Sequence, residues 1–131
     1  MVDSIRRNVI PTLLTMVVFL LGEVDKMLIT LLTFIALDYL SGIMSGFITG
    51  TLSSKVGYKG IVKKVFILVL VATATHIDMI LNAGGSIRFI YLSVMIGNEG
   101  ISILENAGQC GIPGTDFLYT KLSQLRDAGK E

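Results

Sequence analysis

The sequence predicts an all-α integral membrane protein with four transmembrane helices, the first one short, and a short C-terminal amphipathic helix. Composition is the first reason: 52% of the 131 residues are hydrophobic and only 16% charged, where soluble domains carry about 25%. Mean hydropathy is +0.73, so the chain lacks the polar groups to cover a water-facing surface. The second is the pattern: apolar stretches at residues 9–21, 27–47, 61–81 and 87–104, separated by polar or glycine-containing connections. The third is the placement of basic residues, which alternates with those stretches.

Residues 27–47 and 61–81 are about the ~20 residues that cross a ~30 Å hydrocarbon core. The stretch 9–21 is shorter, with Pro11 where a first helical turn tolerates a missing N–H. A thin span and an interfacial helix both fit it. Its basic start resembles a secretory signal, but Leu21-Gly22-Glu23-Val24 offers no A-x-A-like cleavage site, so an uncleaved first span is expected. The fourth stretch contains Asn98 and Glu99 and needs protein or water beside it.

Arg6 and Arg7 precede the first stretch, Lys55, Lys59, Lys63 and Lys64 crowd a basic loop between the second and third, and Lys121, Arg126 and Lys130 follow the fourth. The other two connections are poor in basic residues. Four spans put all three basic groups on one side, which makes both termini cytoplasmic. Gly57 and Gly60 mark a turn in the basic loop, and Gly84-Gly85 another. The transmembrane domain is thus expected at 1–106 and a cytoplasmic tail at 107–131. In the tail, Ala107 to Pro113 breaks the helix, and Thr115-Asp116 caps a short one through Ala128. Phe117, Leu118, Leu122 and Leu125 lie on or near one face of it, suited to the membrane surface or to a second copy.

A net charge of +1 gives no basic face for nucleic acid. A single cysteine, Cys110, excludes an intrachain disulfide and a zinc-type cluster. His76 is the only histidine, and no nucleophile-base arrangement or phosphate loop stands out. No enzyme, cofactor or metal is expected.

Gly42, Gly46 and Gly50 form a double GxxxG row, with Ser41 and Ser45 repeating the spacing alongside. Small residues four apart share one helix face and admit a second helix closely. The partner is either another helix of the chain or a second copy. Asp38 lies on the same row, 11 residues from Met27, or ~16 Å deep at ~1.5 Å per residue. Glu99 has a similar depth counted from Arg88, with Asn98 beside it. Ionised carboxylates facing lipid there cost at least ~2.5 kcal/mol each. They must be protonated, paired or wet, and no basic group is expected at their depth because the lysines gather at the ends of the spans. Asp78 is nearer the end of its span and reads as an interfacial carboxylate in contact with water; with Asp38, Asn98 and Glu99 it completes the intramembrane polar set that a pore or gate would use.

Asp38-Tyr39-Leu40-Ser41-Gly42, then residues 53–64 (SSKVGYKGIVKK), then Ile77-Asp78, then residues 98–106 (NEGISILEN) and Cys110-Gly111-Ile112-Pro113 together resemble the toxin-secretion and phage-lysis holin family of Gram-positive bacteria and their phages. The resemblance covers most of residues 33–125. It falls on Asp38, Gly42, Lys55, Gly60, Lys63, Lys64, Asp78, Glu99, Ser102, Asn106, Gly111 and Pro113. It departs at Gly114-Thr115-Asp116, where relatives often continue with a second proline and basic residues. The resemblance implies a multi-pass protein of the bacterial host's cytoplasmic membrane whose partners are the lipid bilayer and its own copies. It would oligomerise and open timed lesions that release an endolysin, or in some relatives a large toxin. The Gly42-Gly46-Gly50 face is then the expected self-association face. A small ion or proton transporter using midplane carboxylates is the alternative, and a structural membrane adaptor a third class.

Overall fold

The computed structural model describes residues 1–130 as five α-helices: α1 Val2–Leu21, α2 Lys26–Thr49, α3 Ser54–Ile80, α4 Ser86–Gln109 and α5 Asp116–Arg126, followed by a 3-10 turn, Asp127–Lys130. The first four are each long and apolar enough to cross a membrane, and the first, at 20 residues with Arg6 and Arg7 inside it, is not the short span that the sequence predicts. Their outward surfaces carry large apolar side chains, among them Phe19, Ile29, Leu40, Phe47, Phe66 and Ile90. Water would penalise that surface, and lipid does not.

Short connections turn each helix back on the last. Asp25 caps α2 by accepting the Leu28 amide at 2.9 Å, and Gly50, at φ +72°, ends it in a left-handed turn. Ser53 caps α3 through the Val56 amide at 3.2 Å. The third helix therefore begins seven residues earlier than the hydropathy pattern predicts, and the basic loop is not a loop. Lys55, Lys59, Lys63 and Lys64 lie on α3, and Gly57 and Gly60 lie inside it, facing the Tyr39 ring and hydroxyl of α2. Lysine is a good helix former whose stem can follow apolar surface. A capped helix can thus continue through residues that a hydropathy window assigns to water.

The centre is a three-helix unit of α2, α3 and α4. Leu28 and Leu31 of α2, Val71 of α3, and Leu92 and Ile96 of α4 form the buried apolar cluster, flanked by Phe34, Ile35 and Ile67. It fills the half of the bundle nearer the Leu21 and Arg88 ends. Attachment of α1 is lighter. It has no buried residue and meets α3 through an edge-to-face Phe19–His76 pair at 5.5 Å and a Thr75 hydroxyl donating to the Leu21 carbonyl at 3.2 Å.

Polar groups close that end. Asp78 is buried, 7% exposed, and not in water as predicted. Its carboxylate accepts the Gly85 and Ile87 amides at 2.8 Å and the Arg88 amide at 3.1 Å. It satisfies the otherwise unpaired first N–H groups of α4 from across the turn. Arg88 then reaches the first connection, donating to the Leu21 carbonyl at 2.9 Å, the Glu23 carbonyl at 2.7 Å and the Asp25 carboxylate at 2.8 Å. Gly22, at φ +84°, leaves it room: a Cβ there would lie 2.6 Å from Arg88 Nε.

The Asp25 carboxyl sits below its usual range. Burial pushes it up, but the Leu28 amide and the Arg88 guanidinium outweigh that. A depressed carboxyl contributes stability above its unfolded pKa, and that contribution disappears as pH falls through the folded value. Arg88→Ala should therefore cost at least about 2 kcal/mol, read as a lower unfolding midpoint in detergent at neutral pH. Acidification from about pH 5 to about pH 3 should erode the parent's midpoint more than that of Asp25→Asn.

Candidate functional site

In the middle of the bundle three charged side chains from three helices meet. The Lys64 ammonium of α3 lies between the carboxylates of Asp38 on α2 and Glu99 on α4, within hydrogen-bond reach of both. Their side chains are 16%, 10% and 9% exposed, respectively. Each residue is about ten to twelve positions from its helix end on the Thr51–Ser53 side, about 15–18 Å at ~1.5 Å per residue. The expectation that no cation shares the depth of the two acids is thus overturned. The reason is the early start of α3, which carries Lys64 well inside the span.

One ammonium serves two carboxylates. The triad carries one negative charge when both are ionised and none when one keeps its proton. Breaking such a pair inside a low-dielectric bundle leaves an uncompensated charge, which is far costlier than breaking a solvated one. A second polar layer lies nearer the Thr51–Ser53 end. Asn106 Nδ2 of α4 is 3.1 Å from Asp38 Oδ1, 3.3 Å from the Asp38 carbonyl and 2.9 Å from Ser41 Oγ. Buried Ser45 donates to Gln109 Oε1 at 2.5 Å.

These bonds show what lies against the small-residue row. Ser41, Gly42 and Ser45 face α4 of the same chain, and a Cβ at Gly42 would lie 3.7 Å from Asn106 Nδ2. Gly46 faces the next connection, where a Cβ would meet Leu52 at 3.4 Å, and Gly50 is the C-cap with nothing near it. The row is therefore not one continuous face for a second copy. Only its first part packs a helix, and that helix is internal. Asn98, beside Glu99 in sequence, is exposed on the other side of α4, and Asp78 belongs to the end clamp. Neither joins the triad.

A cleft of about 640 Å³ opens beside the triad. Asp38, Lys64, Glu99, Ser102, Asn106 and Gln109 line its polar side, and exposed Lys63 stands at its wall. Thr51, Leu52 and Ser53 of the α2–α3 connection line one end of it. Among the described residues no cluster suited to a metal ion occurs. Sequence reading missed Lys64 as the counter-ion and Gln109 as the partner of Ser45. Counting every charged residue from the helix cap at Ser53, instead of from the first apolar residue, would have put Lys64 at the level of the acids.

The fold and this site define a multi-pass α-helical membrane protein with a buried ion triad at mid-span. Residues 15–127 match the family model described as the bacteriophage holin family, and the chain belongs to that family. A probable holin of Bacillus phage phi105 is 33% identical over 94 residues, 72% of this chain and 69% of that one. Uncharacterized proteins of Listeria monocytogenes and Clostridium perfringens are also similar. The first is 46% identical over 76% of this chain and 71% of its own length, and the second is 41% identical over 86% of each. No solved structure matches.

Removing the cation alone should be the damaging change. Lys64→Leu leaves two buried carboxylates facing each other and should lower stability by about 3–5 kcal/mol, seen as a lower unfolding midpoint in detergent micelles. Lys64→Met combined with Asp38→Asn and Glu99→Gln should recover most of that loss, because neutral groups of similar volume carry no desolvation penalty. Equal loss in both variants would contradict a charge-paired site.

Proposed function

We propose that this protein is a working holin: copies accumulate in the bacterial cytoplasmic membrane with the N-terminus on the cytoplasmic side, associate, and open lesions through which an endolysin reaches the cell wall. Family membership supports the role. The observation that carries the mechanism is the Asp38–Lys64–Glu99 triad at mid-span beside a cleft. In the closed bundle the ammonium bridges the two carboxylates and holds α2, α3 and α4 together. When assembly passes a threshold, or the membrane potential falls, α3 shifts against α2 and water from the cleft enters the triad. Hydration then replaces the ion pairs, and the separated charges line the lesion. The dry pairing resists opening, and the wet state, once reached, resists closing.

Induced expression tests the role. The potential should collapse abruptly, and a co-expressed cytoplasmic enzyme should appear outside. A transporter using the same carboxylates would move ions while the enzyme stayed inside. Lys64→Met with Asp38→Asn and Glu99→Gln removes the charges that water must solvate and should shift the time of collapse. Collapse on the parent's schedule, at equal protein levels, would remove the triad from the gating mechanism.

A further inference from the structure

The C-terminal helix does not extend away from the bundle. It folds back along α4, and two glycines of α4 make the seat. A Cβ at Gly97 would lie 2.5 Å from the Arg126 amide nitrogen and 2.8 Å from the Leu122 carbonyl oxygen. One at Gly100 would lie 2.7 Å from both Leu122 methyl carbons and 3.1 Å from the Phe34 ring. Farther along, a Cβ at Gly129 would lie 2.8 Å from a Val94 methyl. The seat fits a helix backbone at close approach, the geometry that holds helices together in lipid.

The present occupant suits that depth badly. No residue of α5 is buried; of the apolar face expected to meet the membrane surface or a second copy, Phe117, Leu118 and Leu125 are exposed and only Leu122 packs on the seat. Lys121 and Lys130 are exposed, and Arg126 and Asp127, paired at 3.2 Å, are 35% and 45% exposed. These charges lie alongside the span of α4, where lipid opposes them. Ser123 Oγ is buried under the helix with no hydrogen-bond partner.

Beside the seat, α4 shows lipid a polar flank. Asn98 is exposed, and Glu105 lies two turns on along the same side and is exposed as well. A carboxamide both donates and accepts, so two copies of Asn98 related by a two-fold axis satisfy each other. Intramembrane amides are commonly resolved in this way.

We propose that the Gly97–Gly100 face of α4, with Asn98 at its edge, docks α4 of a second copy, and that α5 is a cover occupying this seat until it is displaced. The cover's charges favour its return to water, and the glycine seat then accepts a helix without charges. The consequence for lesion timing rests on the holin reading, but the docking does not.

The test uses full-length protein in membranes with Cys110→Ser, so that no native thiol remains. Asn98→Cys alone should close an intermolecular disulfide under mild oxidation. In a separate variant, Val94→Cys with Gly129→Cys should close within one chain and lock the cover. Locking should reduce amine-crosslinked dimers by about three- to tenfold, with recovery on reduction. Leu122→Ala, which loosens the cover and leaves the α4 face intact, should increase them. Failure of the lock to close, or an unchanged dimer yield when it does, overturns the cover; absence of the Asn98→Cys dimer overturns the docking face. Dimers without release of a cytoplasmic enzyme would leave the docking standing and count against the holin role.

Discussion

Everything central in this protein depends on one ammonium shared by two carboxylates. Among the described residues, Lys64 is the only place where α2, α3 and α4 are tied by charge at one level, and the helices around it arrange themselves accordingly. The apolar cluster of Leu28, Leu31, Val71, Leu92 and Ile96 packs on one side of it. On the other side the packing gives way to serine, asparagine and glutamine and then to a cleft. The triad thus stands at the boundary between a dry half and a half that can be hydrated.

The other strong polar cluster has a different task. Asp78, Arg88 and Asp25 close the Leu21–Arg88 end by satisfying amides and carbonyls that the helix ends leave free. They anchor the first connection and the start of α4. The periphery is held more weakly. One edge-to-face pair and two bonds to the Leu21 carbonyl, from Thr75 and Arg88, attach α1, while α5 rests on two glycines and brings charges with it. The rigid and the removable parts of the bundle are therefore distinct.

Hydrophobic runs made the four spans legible in the sequence, and the depth of Asp38 and Glu99 followed from counting residues. That both had to leave lipid was legible too, but neither their meeting nor what pairs them was. Lys64 stands in a lysine-rich segment that hydropathy assigns to a loop, and only the Ser53 cap reveals that the helix has already run some ten residues by then. Asp78 was misread for a related reason: nearness to a span's end suggests water, but the amides of the following turn outcompete it. The small residues of α2 marked a packing face correctly in kind, but spacing carries no information about which helix fills it. Gly50 satisfies the spacing and yet ends the helix. For α5, an amphipathic pattern showed that a helix would form, and it did not show that Gly97 and Gly100 would let its backbone and Leu122 approach α4.

The most direct test of this account is a nitrogen-to-carbon distance measurement by solid-state magnetic resonance on the protein in lipid bilayers, from Lys64 Nζ to the carboxyl carbons of Asp38 and Glu99. The account predicts close contacts from that one nitrogen to both carbons in the closed protein. A Lys64 nitrogen in contact with neither, and exchanging freely with bulk water, would contradict it.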